Sequence, residues 1–285
     1  MSTTRCLFCG RVWGDVSKSN EHGLGEWMRK HETARILTSG QASYSSGFGL
    51  DDDAQEFVEL PTTMVTKKST LLTLKTREVC QQCNNGWMSK LEQAAEPLIL
   101  RLAEAAQNPS QIVRLNQAEA RTLALWAQKT AITDELTAPK AHVANVTMGE
   151  QLRCGAPIRG AMVWAARNPQ DYDLSIALAH IDISNTRIPR AGPADRQILL
   201  AEIIYHYLTL FVFIPEVHGK GWPPLQPDAW TMIWPALTSV EYPPMRAVDG
   251  PELTRALADH SEWLPIVRAA DIRKTGFPPQ VVHRN

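Results

Sequence analysis

Runs of apolar side chains at two different periods divide the chain. Trp87, Met88, Leu91, Ala94 and Ala95 recur at helical spacing, and Leu98, Leu102 and Ala105 extend the stripe to the stop at Asn108-Pro109. Pro97 lies inside this stripe, where it would start a fresh turn or kink the helix, because proline lacks an N–H and crowds the preceding turn. A second helix is predicted from Asn116, a good N-cap with Glu119 three positions on, burying Leu123, Trp126, Ala127 and Thr130. From about Met162 the period shortens. Residues 161–165 and 174–183 read as strands, the second alternating Leu174, Ile176 and Leu178 on one face. Residues 201–214 read as a strand buried on both faces. The wider apolar run 198–214 contains Glu202, His206 and Thr209, is short for a span and is rich in β-branched and aromatic residues, so no membrane crossing is expected. Asp249-Gly250-Pro251 opens a short predicted helix to His260.

Ahead of Trp87 the pattern is weaker. Residues 17–30 are polar with an apolar end at Leu24 and Trp27, and the Gly/Ser-rich stretch 39–53 reads as a mobile surface loop. Residues 56–76, rich in Val, Leu and Thr with a break at Pro61, predict two short strands.

Composition narrows the function classes. A chain of 285 residues with 44% hydrophobic and 21% charged side chains is long enough to bury its own core and belongs to the globular class. Lys and Arg number 29 against 30 Asp and Glu, a formal charge of −1. Binding nucleic acid through bulk positive charge is therefore excluded, while a local basic patch stays open. Residues 1–11 are polar and carry two cysteines, so no secretory signal is expected and the expected location is cytoplasmic. In that reducing compartment five cysteines do not suggest a disulfide scaffold.

Four of them form two C-x-x-C pairs, Cys6-Leu-Phe-Cys9 and Cys80-Gln-Gln-Cys83. Each pair lets two thiolates reach one ion from a tight turn, and two pairs complete the tetrahedral shell of structural zinc. A closed shell leaves no position for substrate, so this metal is expected to hold the fold. Cys154 stands alone and reads as a small core residue. His142, His180, His206 and His218 show no ligand spacing and read as structural. Residues 96–285 contain no Walker loop, dinucleotide glycine fingerprint or nucleophile elbow. Trp222, Trp230 and Trp234, set among Pro-rich turns, either plug a core or present a partner surface.

Between the cysteine pairs lies Ser19-Asn20-Glu21-His22 with Trp27 shortly after, and Cys83 leads into Asn84-Asn85-Gly86-Trp87-Met88 and Leu91-Glu92. This order resembles the HNH endonuclease family in its zinc-stapled form, over roughly residues 1–95. The resemblance implies a zinc-stapled ββα module at 1–95, interrupted by a long insertion at 23–74, within a chain whose pattern of helices and strands reads as α+β. A helical connector and a mixed α+β C-terminal domain would occupy 96–285. It implies hydrolysis of phosphodiester bonds, in DNA more than RNA, with His22 as general base and Glu21 and Asn84 as ligands of a catalytic Mg2+ or Mn2+ beside the structural zinc. Family members often serve phage defence or mobile elements. The chain departs from the family pattern in having Lys75 and Thr76 where an Asn usually precedes the second cysteine pair, and no histidine in the helix after Asn84.

Each of these residues also has a plainer reading. His22 fits a surface or capping histidine, and Asn84 fits a helix cap as well as a ligand. Lys67, Lys68 and Arg77, with Lys75, form a basic cluster that is either phosphate-facing or a lysine-guarded strand edge. The alternative to the enzyme is a non-catalytic, zinc-stabilised module binding nucleic acid or protein. A homo-oligomer or a protein partner through the C-terminal half is compatible with either.

Overall fold

The computed structural model describes residues 4–25, 27–28, 42–44, 48–51, 56–59, 65–67, 75–137, 143–182, 197–215, 225, 228–244 and 246–248. The predicted helix at 249–260, Lys68, His142, His218 and Trp222 lie outside the described residues.

The chain is an α+β mix. Short strands come first: β1 (Glu21–His22), β2 (Ala42–Tyr44), β3 (Phe48–Asp51), β4 (Glu56–Glu59), β5 (Val65–Lys67) and β6 (Lys75–Thr76). They pair antiparallel as β1 with β6, β2 with β5, and β3 with β4. The stretch read as a loop at 39–53 thus contains two strands, a correction, since each finds a partner in the Val/Thr-rich segment that follows. That segment forms β4 and β5 on either side of Pro61 and a third strand, β6, at its end, one more than expected.

Helix α1 (Gln81–Cys83) runs through a widened turn, Asn84–Met88, kinked at Gly86, into α2 (Ser89–Gln107). Pro97 is inside α2 and exposed, so its missing N–H falls on the solvent side. After β7 (Val113–Leu115), helix α3 (Gln117–Glu135) begins with the expected capping box: Asn116 Oδ1 accepts the Glu119 N–H at 3.0 Å and Glu119 Oε2 accepts the Asn116 N–H at 2.8 Å. Such a cap stabilises a helix start by about 1 kcal/mol. Helix α4 (Val146–Arg153) follows, capped by Asn145.

Strands β8 (Met162–Asp182) and β9 (Gln197–Pro215) form a long antiparallel ribbon, and β10 (Thr231–Trp234) adds to the outer side of β8. β11 (Val240–Tyr242) pairs with β7. The two strands predicted at 161–165 and 174–183 are one strand. Pro169 sits in an irregularity of the ladder: β8 runs five residues from Arg167 to Tyr172 while β9 runs two from Leu208 to His206, so residues 168–171 stand outside the pairing and the proline removes no ladder bond. Asn168 closes it, accepting Thr209 Oγ1 at 2.8 Å and donating to the His206 carbonyl at 3.1 Å.

Helices α2 and α3 pack against each other and together on β8 and β9. One face of β9 sends Ala201, Ile203 and Tyr205 into this core while Glu202, Ile204 and His206 are half-buried; every residue is buried only from Leu208 to Ile214, so the burial on both faces expected over 201–214 holds for its second half. Phe211 contacts Trp164 and Trp230 at ring-centroid distances of 5.7 and 6.0 Å, so Trp230 plugs a core. A buried cluster apart from these three rings joins Ala201, Ile203 and Tyr205 of β9 to Cys6, Phe8, Cys80 and Met88 and to Val240 and Tyr242. The boundary expected at 95/96 falls inside α2, which crosses it without a break. Cys154 caps the end of α4 and is exposed, not buried as expected, because it lies just past the last turn of a short helix. Among the described residues no helix is long and apolar enough to cross a membrane.

Candidate metal centre

The first knuckle is a tight turn. The Gly10 N–H bonds to the Cys6 carbonyl at 2.9 Å and the Cys6 N–H to the Arg11 carbonyl at 2.8 Å, with Gly10 at φ +68, a left-handed conformation that favours glycine. The second knuckle caps a helix: Cys80 is the N-cap of α1, its sulfur accepting the Cys83 N–H at 3.4 Å. Leu7 N–H to Glu78 O, at 3.0 Å, ties one knuckle to the approach of the other.

The four sulfurs of Cys6, Cys9, Cys80 and Cys83 lie within 4.8 Å of one another. Cys6 and Cys83 are 4.0 Å apart, Cys9 and Cys80 3.7 Å. A tetrahedron with metal–sulfur bonds of about 2.3 Å has edges of about 3.8 Å, so the group could hold a metal ion such as zinc. Hydrogen bonding with Cys83, opposed by burial and reinforced by the N–H groups of Cys80, Cys9 and Phe8, brings the Cys6 thiol down to about 4. The same contact with Cys6, and then burial, push the Cys83 thiol up, and burial raises Cys9, so of these three sulfurs only Cys6 is drawn towards the thiolate that a metal needs.

Helix α4, which the sequence did not announce, braces the first knuckle. A Cβ on Gly149 would overlap the Leu7 carbonyl oxygen and come within 2.9 Å of Phe8 Cα, so glycine permits this approach. On the other side Phe8 meets Trp87 edge-on at 5.5 Å.

A ladder leads from this cluster to Glu21 and His22. Lys18 bridges Cys80, the Ser19 N–H bonds to Val79 O at 2.8 Å, and β1 then pairs with β6, Glu21 opposite Thr76 and His22 opposite Lys75. Neighbouring residues of a strand face opposite ways. Glu21 and Thr76 are buried, facing α3, whereas His22 is half-buried and Lys75 exposed.

On the buried face stands an ionic group not anticipated from sequence. Lys129, wholly buried on α3, reaches Glu92 Oε1 at 2.5 Å and Glu21 Oε1 at 3.5 Å. Glu92 Oε2 also accepts the indole N–H of Trp27 at 2.6 Å and of Trp126 at 2.9 Å. Burial works against the lysine's charge, but Glu92 and Glu21 more than offset it, and its pKa rises. Burial raises Glu21, with Lys129 acting in the opposite direction. Five residues further along α3, Asp134 packs on Gly23, whose added Cβ would stand 2.7 Å from Asp134 Oδ1. Burial, and then the charge of Glu135, push Asp134 up to about 7.

Asn84 is half-buried at the head of the widened turn, in right-handed helical conformation. It is not the N-terminal cap, a correction: Cys80 fills that position, and Asn84 stands at the C-terminal end of α1 with the chain already helical. Arg77 is exposed, and the backbone of Lys67 ends β5. His206 pairs through Nδ1 with Asp171 Oδ1 at 2.8 Å, far along the chain from the sulfur cluster. The only hint of the Lys129 group was a helix whose polar residues, Gln128 to Thr130 and Thr133 to Glu135, follow no solvent-facing stripe.

Comparison of the chain with protein-family models, with curated proteins and with solved structures finds no match.

Proposed function

We propose that the chain is a metal-dependent endonuclease of the zinc-stapled HNH type, cleaving phosphodiester bonds in nucleic acid, DNA in preference to RNA. The observation that carries this reading is the ladder from the four-sulfur cluster to His22. Cys80 and Lys18 are paired, and four residues beyond Lys18 the imidazole stands on the outer face of a two-stranded ribbon that leads directly into a helix. Strand, strand and helix stapled by sulfurs is the order that the HNH resemblance implies.

In this reading His22 takes a proton from water, since imidazole titrates close to neutrality. The water oxygen bonds to phosphorus, the ester P–O bond to the leaving sugar oxygen breaks, and that oxygen takes a proton from solvent. A Mg2+ or Mn2+ ion bound by Glu21 and Asn84 would offset the charge that grows on the phosphate oxygens. Glu21 suits the role in one respect: Glu92 already accepts from three donors, whereas the contact of Glu21 with Lys129 is long, leaving more acceptor capacity on Glu21. With both carboxylates ionised the Glu21–Lys129–Glu92 group carries one net negative charge, complementary to a cation. The cysteines hold zinc, and cytoplasmic action in phage defence fits the resemblance.

One observation favours a second reading, a non-catalytic zinc-stabilised module binding nucleic acid or protein. The Lys129 ammonium already supplies Glu21 with a positive partner. Plasmid nicking by zinc-loaded protein with added Mg2+ or Mn2+ separates the two. The endonuclease nicks, and His22→Ala slows it by about 10²–10⁴-fold, the usual weight of a general base. Absence of nicking with either ion moves the assignment to the binding module.

A further inference from the structure

The register of β1 and β6 singles out one member of the basic cluster as the neighbour of His22. Lys75 is its direct cross-strand partner. Directly opposed residues of an antiparallel pair project to the same face with Cβ atoms about 4.5–5.5 Å apart. The burial of the ribbon agrees with that alternation: Glu21 and Thr76 are the inward pair, His22 and Lys75 the outward one. Arg77, two residues on, is exposed as well and continues the outward series, separated from Lys75 by buried Thr76. A lysine opposite an imidazole contributes nothing favourable to strand pairing when the imidazole is protonated, because like charges directly opposed destabilise a sheet. Facing a phosphodiester the same ammonium is useful, as a compact charge for a non-bridging oxygen. In a chain of net charge −1, affinity for a polyanion must come from local cations of this kind.

We infer that Lys75 is a substrate-binding residue of the site, its ammonium contacting a non-bridging oxygen of the phosphodiester addressed by His22. The inference rests on the endonuclease reading and is tested apart from it by two readouts on the zinc-loaded full chain. Nicking rate with Mg2+ is compared for wild type, Lys75→Ala and Lys75→Arg. Binding of a fluorescent DNA duplex is measured over a salt series in the His22→Ala background, with and without Lys75→Ala. Nicking by Lys75→Ala is expected to fall about tenfold, with recovery in Lys75→Arg. Duplex affinity in the His22→Ala background should fall too, its log–log salt slope becoming shallower by about 0.9, one phosphate contact. If wild type nicks and Lys75→Ala nicks and binds like its parent, the inference is overturned and the endonuclease reading stands. If wild type binds duplex without nicking and Lys75→Ala weakens that binding, the lysine contact stands and the nuclease reading falls. If wild type neither nicks nor binds duplex, both are overturned.

Discussion

The ammonium of Lys129 lies 3.5 Å from the Glu21 carboxylate, fastening helix α3 to a strand of only two residues. β1 is too short to hold itself by backbone pairing, so this ion pair, with the Glu92 contact at 2.5 Å, fixes where the Glu21-His22 dipeptide sits. Removing one partner of a buried ionic group leaves uncompensated charge. Lys129→Met should therefore destabilise the chain by about 3–5 kcal/mol in urea unfolding. Adding Glu92→Gln to Lys129→Met should recover part of that loss, since one stranded carboxylate is then removed. Equal stability of Lys129→Met and wild type would show that the pair holds nothing.

Asp134 gives a pH prediction. Its folded-state carboxyl is raised to about 7 from 3.8. Between those values the folded chain holds a proton that the unfolded chain has released, so this group's contribution to stability falls as pH rises from about 4 to 7. Asp134→Asn removes the effect. Its stability relative to wild type should be lowest below pH 4 and rise towards pH 7–8, by an amount on the order of a few kcal/mol. Taking the difference cancels any acid release of metal common to both proteins. A difference flat across that range would mean that Asp134 is ionised in the fold at neutral pH.

The close approach of α4 to the first knuckle predicts coupling between the C-terminal half and the metal cluster. Gly149→Ala forces a methyl group against the Leu7 carbonyl and the Phe8 backbone, which cannot yield as a flexible side chain would. Overpacking of this kind costs about 1–3 kcal/mol. The variant should surrender zinc to a competing chelator at lower concentrations than wild type, and unchanged retention would sever helix from knuckle.

Much of this was legible in the residues, for identifiable reasons. The cysteine pairs announce themselves because two sulfurs two residues apart have few other uses in one turn. Asn116 and Glu119 announce a helix start because their bonds are local. The run through β9 reads correctly as a strand, but as buried on both faces only from Leu208 to Ile214, because between Ala201 and His206 every second residue is half-buried. What failed was non-local. Lys129 has its partners 37 and 108 residues away, and a lysine on a helix ordinarily faces water. The single strand β8 was read as two because residues 168–171 bulge out of the ladder, and only pairing with β9 on either side makes one strand of the two runs. Cys154 looked like core because free cysteine is usually buried, and its place beyond the end of α4 depends on where that helix stops.

The most direct test is elemental zinc analysis of the purified chain beside Cys80→Ser. Cys80 is at once a sulfur of the cluster, the N-cap of α1 and the bridge partner of Lys18. Metal-binding energy at a structural site is also folding energy. Wild type should carry one zinc per chain, and Cys80→Ser should lose it together with the cooperative unfolding of the N-terminal ribbon and α2. A wild-type chain without zinc, or a Cys80→Ser chain that keeps its full complement, would contradict the four-sulfur clamp and everything built upon it.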